Sequence, residues 1–164
     1  AEDGRHFVLA TAEHNVVAWR RQAPILPAFS LDHQAQIGLV TYGPGNNRIV
    51  TATIKGSVHL WNATDGDSIA DLIVDDKPST KVIFSPDGGQ IATTTTDRYL
   101  HLWNATNGIH LQAIGPFPSP VLEVAFHPAT PLVSVATREP TDPTTCLIQQ
   151  WDTLTGKAIS SPSQ

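Results

Sequence analysis

The chain alternates short apolar runs with clusters of Gly, Pro, Asn and Asp, the pattern of strands joined by tight turns. No segment places apolar residues at i, i+3, i+4 and i+7 over a helical length, so no helix is predicted. Residues 37–42, 48–53, 57–61 and 68–74 are four runs rich in Val, Ile, Thr and Leu. The turns between them, GPGNN, IKG and NATDGD, each offer a Gly or Asn for positive φ. Runs at 80–84, 90–95, 99–103 and 109–114 repeat the arrangement, and runs at 121–126, 132–137, 147–151 and 157–160 repeat it again. Ahead of these, 7–12 and 15–19 read as a hairpin around Glu13 and His14. A strand near 25–29 is interrupted by Pro27, which suits an edge because proline donates no ladder hydrogen bond.

The runs also copy one another. RIVTATIKGSVHLWNATDG (48–66) returns as QIATTTTDRYLHLWNATNG (90–108), with related stretches at 6–19 and 131–156. Trp19, Trp61 and Trp103 stand 42 residues apart, and Trp151 follows after 48. A propeller blade of four strands occupies ~40–45 residues. Evenly punctuated strands can also build a sandwich, but a sandwich has no reason to copy one Trp-bearing strand at a fixed period. The predicted fold is all-β, with four-stranded antiparallel sheets, about 3.75 of them in an incomplete ring. The units run 1–31, 32–75, 76–115 and 116–164. A tryptophan on each third strand covers on the order of 150–250 Å² between neighbouring sheets, and its N–H needs a partner. A Thr hydroxyl on the adjacent strand is the expected one.

VIFSPDGGQIATTTTDRYLHLWNATNG (82–108) carries an aliphatic-x-Phe-Ser-Pro-Asp-Gly turn, a small-residue strand, an acidic turn and a Trp-led ending. This resembles a WD40 repeat. The resemblance covers essentially the whole chain, which is identified as a member of the WD40-repeat β-propeller family, a partial propeller of about four blades. It implies that the strand ending one repeat is the outer strand of one blade while the other three strands lie in the next. It also implies a hydrogen-bonded cross-brace of His, Ser/Thr, Asp and Trp. His33 falls at the loop His, Thr53 and Thr95 at the strand Ser/Thr, Asp97 at the turn Asp, and Trp61 and Trp103 at the Trp, with Trp19 and Trp151 their repeats. No blade has all four: Lys55 replaces the turn Asp in the second unit, and Asp75 lies near the His position in the third. Asn62 and Asn104 replace the Asp of the Trp-Asp pair, which survives as Trp151-Asp152. The blades are therefore expected to depend more on apolar packing than on polar bracing.

The remaining features narrow the function by exclusion. The 164 residues suit one domain of ordinary size. Net charge is −5, with scattered Lys and Arg, so no basic face for nucleic acid is expected. Cys146 is alone, which rules out an internal disulfide and fits a reducing compartment, the cytoplasm. No run approaches the ~18 apolar residues of a membrane-spanning helix. The absence of methionine points to a segment of a longer protein. The chain has no GxSxG, no phosphate loop with Lys and no HExxH, so no enzyme activity and no cofactor is expected. His59 and His101 each precede a Trp by two residues, but repeat-equivalent positions sit on different sheets, and packing rather than metal binding is expected. Asn62-Ala-Thr64 and Asn104-Ala-Thr106 match the N-glycosylation pattern and equally suit tight Asn turns.

The resemblance implies a non-enzymatic scaffold for protein–protein interaction, belonging to a larger regulatory or multi-subunit assembly, with a protein or peptide as partner. The alternatives are a structural segment that completes a propeller ring with another chain or a second copy, and a carbohydrate-binding propeller. The insertion REPTDPTT (138–145) lengthens the turn between second and third strands, which the resemblance places on the face where loops enter each blade. Its Arg138, Glu139 and Asp142 are candidate partner contacts, because loops carry function more often than scaffolds do. Asp75 and Asp76, in the connection before the third unit, are candidates for a basic partner.

Overall fold

The computed structural model describes residues 6–10, 15–20, 27–33, 35–73, 77–142 and 144–159. Within them lie fourteen strands in four antiparallel sheets. The first sheet orders β1 (His6–Ala10), β2 (Asn15–Arg20) and β3 (Pro27–Asp32). The second holds β4 (Ile37–Tyr42), β5 (Arg48–Thr53), β6 (Val58–Asn62) and β7 (Ser68–Asp71). The third holds β8 (Ser79–Phe84), β9 (Gln90–Thr95), β10 (Leu100–Asn104) and β11 (His110–Ile114). The fourth holds β12 (Val121–Phe126), β13 (Leu132–Arg138) and β14 (Cys146–Asp152).

Most strand boundaries fall within one or two residues of the sequence expectation, β7 ends at Asp71 rather than at 74, and three further places depart from it. β3 starts at Pro27 and runs on to Asp32, because a first residue is where a missing N–H interrupts no ladder. The turn at Glu13 and His14, and Ile25, lie outside the described residues. The GPGNN turn closes as one 3-10 turn, Pro44–Asn46, with Gly45 at φ 77°. The run at 157–160 yields a single bridge, Ala158 to Trp151, and Ser160 lies outside the described residues.

The repeat holds to the residue. Ile49 faces Trp61, Ile91 faces Trp103 and Val133 faces Trp151 across the middle strands. A bulge follows at the same step, between Leu60 and Trp61 and between Leu102 and Trp103, where the third strand meets the fourth. Because side chains alternate across a strand, each sheet has two faces, and both are used. Val50, Ala52, Val58 and Leu60 pack on Val82, Ile91 and Trp103 of the next sheet. Ala92, Leu100, Leu102 and Ile114 pack in turn on Val124, Val133, Val135 and Trp151. Burying each such aliphatic side chain contributes about 1.5–3 kcal/mol. The fourth sheet breaks the pattern on its far face. Ser134 and Gln150 pair there where Val50 and Leu60, or Ala92 and Leu102, pair in the earlier sheets, with Gln150 Nε2 donating to Ser134 Oγ at 3.5 Å.

The turn after each third strand presses on the sheet before it. Gly66 and Gly108 sit there at φ 85° and 71°, a region that favours glycine. A Cβ on Gly66 would come within 2.7 Å of the Phe29 ring, and one on Gly108 would collide with Ala70 Cβ.

Candidate functional site

The tryptophans set the spacing of the sheets, and hydrogen bonds fix their rings. Trp61 Nε1 donates to Thr51 Oγ1 at 2.9 Å, and Trp103 Nε1 donates to Thr93 Oγ1 at 3.0 Å. His33 continues the first chain: its Nε2 lies 2.7 Å from Thr51 Oγ1 and its Nδ1 lies 3.0 Å from the Leu31 carbonyl. One direction satisfies every group, with the indole donating to the hydroxyl, the hydroxyl to Nε2, and Nδ1–H to the carbonyl. The receiving threonines are thus Thr51 and Thr93, two residues before the expected Thr53 and Thr95. The register explains the shift, since Thr51 and Thr93 pair with the residues one strand-face step from each Trp. Thr53 Oγ1 instead accepts from Ser57 N at 3.1 Å, and Thr95 Oγ1 donates to Asp97.

Asp97 also receives Lys77 Nζ at 2.6 Å. Burial raises the Asp97 pKa, but the bonds from Lys77 and Thr95 outweigh it and hold the carboxyl below its usual range. The fourth sheet has none of this brace. Val135 and Phe117 stand 42 residues after Thr93 and Asp75, Phe117 packs edge-on to Trp151 at 5.9 Å, and Trp151 Nε1 is buried without a hydrogen-bond partner among the described residues. Trp19 lies on β2, and its indole is outside the described residues.

His59 and His101 stack beside their own tryptophans on separate sheets, at 5.8 and 6.3 Å. His59 Nδ1 meets Asp71 Oδ1 at 2.6 Å, and His101 Nδ1 lies 3.2 Å from His110 Nε2, with burial pushing the His110 pKa down. Among the described residues no group of three or more His, Cys, Asp or Glu could hold a metal. The amides of Asn62 and Asn104 build their turns: Asn62 Oδ1 accepts Thr64 N, and Asn104 Oδ1 accepts Thr106 N and Asn107 N. Asp152 does the same for Leu154 N and Thr155 N, so the position requires an acceptor oxygen rather than a charge.

One rim of the array gathers the turns after each second strand and the connections into each sheet. These segments latch neighbouring sheets. Phe117 N donates to Arg98 O at 2.8 Å, and Arg98 Nη1 donates to Pro118 O at 3.1 Å. Gly56, 42 residues before Arg98, approaches Lys77 O and Pro78 so closely that a Cβ would stand 2.7 Å from them. Ile54 and Ile73 are 58% and 65% exposed on this rim. The loop between β13 and β14 is the fourth sheet's turn after its second strand, with Arg138 at its base on the end of β13. It is built by Asp142, whose Oδ1 accepts Thr144 N and Thr144 Oγ1 and whose Oδ2 accepts Thr145 Oγ1, at 2.6 to 2.9 Å. Those bonds hold the Asp142 carboxyl below its usual pKa. Glu139 N closes the loop on Thr145 O at 2.9 Å, and Thr141 Oγ1 bonds Glu139 Oε1. Asp142 therefore acts as the organiser of the loop. Asp75 and Asp76 lie outside the described residues. Sequence reasoning missed Thr51 and Thr93, although their recurrence at 42 residues, broken at Val135, would have marked them.

Residues 75–104 match the family model described as WD domain, G-beta repeat. A comparison with curated proteins found no match. β8, β9 and β10 lie inside the matched stretch, which is therefore a WD repeat, and the antiparallel sheets before and after it repeat its register and its tryptophan, an arrangement consistent with β-propeller blades of that type.

Proposed function

We propose that this chain is a non-enzymatic docking platform within a larger assembly, and that its rim of inter-strand turns and blade-entry connections holds a protein or peptide partner. The observation that carries the reading is the loop at 139–145. Its residues 140–142 and Thr144 are exposed, its length is peculiar to one blade, and its described residues are held by the Asp142 and Glu139 bonds. An ordered loop has less conformational freedom to lose when it binds. Ile54 and Ile73 supply apolar contact on the same rim, while Arg138 and Glu139 supply charge at the base of the loop. Asp75 and Asp76 belong to the same connection as Ile73 and offer a place for a basic side chain of the partner.

The test replaces residues 139–145 by a two-residue Asn-Gly turn, which keeps Arg138 and Cys146 as the closing pair of the β13–β14 hairpin. Peptides selected by display on the intact chain are then measured by fluorescence anisotropy. Rim-directed peptides should weaken by tenfold or more, roughly one well-formed charge-assisted contact, with the melting temperature nearly unchanged. Equal affinity on the shortened chain would remove the loop from the binding surface.

A further inference from the structure

The opposite side of the array, away from the rim, holds a separate feature. Between the third and fourth blades a cavity of about 440 Å³ opens among the β8–β9 turn, the β12–β13 turn and the turn after β14. That volume is within the ~300–1,000 Å³ typical of ligand sites. The walls are tied together, because Gln112 Nε2 on β11 donates to Thr153 O of the next blade at 2.6 Å. The groove is thus preformed.

Its chemistry is one-sided. Leu111 and Leu154 line it and are 46% and 72% exposed, with Phe126 at its base. Asp87 is the one residue with a formal charge at neutral pH among the described lining residues. Ser85 Oγ and Gly89 N both donate to Asp87 Oδ1, at 2.6 and 2.9 Å, and so fix the carboxylate and keep it ionised. Oδ2 has no hydrogen-bond partner among the described residues. Across the groove, His127 Nδ1 accepts the N–H groups of Ala129 and Thr130, which places the ring proton on Nε2 as a donor. A fixed anion, an imidazole donor and exposed leucines complement a cation on a chain that also carries apolar side chains and carbonyls.

We propose that this groove binds an extended peptide segment in which a basic residue is flanked by apolar ones. The guanidinium or ammonium meets Asp87 Oδ2, His127 Nε2–H donates to a peptide carbonyl, and the flanking side chains cover Leu111 and Leu154. The site is independent of the rim and stands or falls separately from it.

The probe is acetyl-Leu-Arg-Leu-amide, titrated into the ¹⁵N-labelled full chain and followed by amide chemical shifts. Saturable shifts should be confined to 85–90, Leu111, 127–131 and 153–154. Replacing the Arg by Gln in the peptide, or Asp87→Asn in the chain, should each weaken binding by about tenfold, the loss of a charge-assisted bond. Asp87→Asn keeps the acceptor for Ser85 and Gly89, and Leu154→Ser, on an exposed side chain, should weaken binding without touching the fold. Excision of the rim loop should leave the titration unchanged. Shifts that map to the rim, a Gln peptide that binds as well as the Arg peptide, or free argininamide binding as tightly as the tripeptide would each overturn the proposal, as would no saturation at millimolar peptide.

Discussion

Thr93→Val is the sharpest test of how the blades are braced. Thr93 is fully buried, Trp103 is 4% exposed, and the bond between them is 3.0 Å long. Valine has the shape of threonine, so the change removes the acceptor without opening a cavity. Leaving the indole N–H buried and unpaired costs about 1–3 kcal/mol. Exchanging a hydroxyl for a methyl group returns up to about 0.8 kcal/mol of apolar burial. The net destabilisation should be about 1–2 kcal/mol in urea unfolding followed by circular dichroism, with an unchanged m-value.

The same change in a Trp103→Phe background has no N–H to strand and should be neutral or slightly stabilising. A double-mutant cycle should therefore give a coupling of about 1.5–2.5 kcal/mol. The fourth blade supplies an internal control, since Val135 already stands in the threonine's place and Trp151 Nε1 already lacks a partner. Trp151→Phe should cost less than Trp103→Phe. A coupling below about 0.5 kcal/mol would mean that the Thr–Trp bond contributes nothing and that the indole is held by packing alone.

Three further outcomes follow from the same contacts. Trp103→Ala removes a buried aromatic and should destabilise by about 3–5 kcal/mol; a loss under about 1 kcal/mol would take the ring out of the core. Gly108→Ala forces a side chain into a left-handed φ of 71° and against Ala70, and should cost about 2–4 kcal/mol; a neutral change would contradict the close approach of that turn. The Asp152 carboxyl is held below its usual pKa by the N–H groups of Thr155 and Leu154, whereas in the unfolded chain it titrates near ~4. Its contribution is complete above that value and is lost as pH falls through the folded-state pKa. Asp152→Asn keeps the acceptor and removes the titration, so its melting temperature should fall less than wild type between about pH 5 and about pH 3; parallel curves would exclude the carboxylate from the acid response.

The repeat was legible because the 42-residue period registers the strands, the turns and the tryptophans together. The brace was legible as a set of residue types and misplaced by two positions. Thr51 and Thr53 lie on the same face of β5, and only the cross-strand pairing of Ile49 with Trp61 shows which hydroxyl the indole reaches. The roles of Asn62 and Asn104 were hidden for a different reason. Nothing in a sequence tells whether an Asx side chain serves its charge or its oxygen, and the shared turn geometry with Asp152 answers for the oxygen. The groove at Asp87 was not legible at all, since its walls come from turns some forty residues apart in the chain.

The serine–glutamine pair on the outward side of the fourth blade limits how the array can grow. At the two earlier junctions a neighbouring blade is met by aliphatic side chains and gains their burial. A further sheet laid on Ser134 and Gln150 would have to strip water from a hydroxyl and an amide, at about 1–3 kcal/mol for each group left without a partner. Any polypeptide that extends the array on that side must therefore bring hydrogen bonds to the seam.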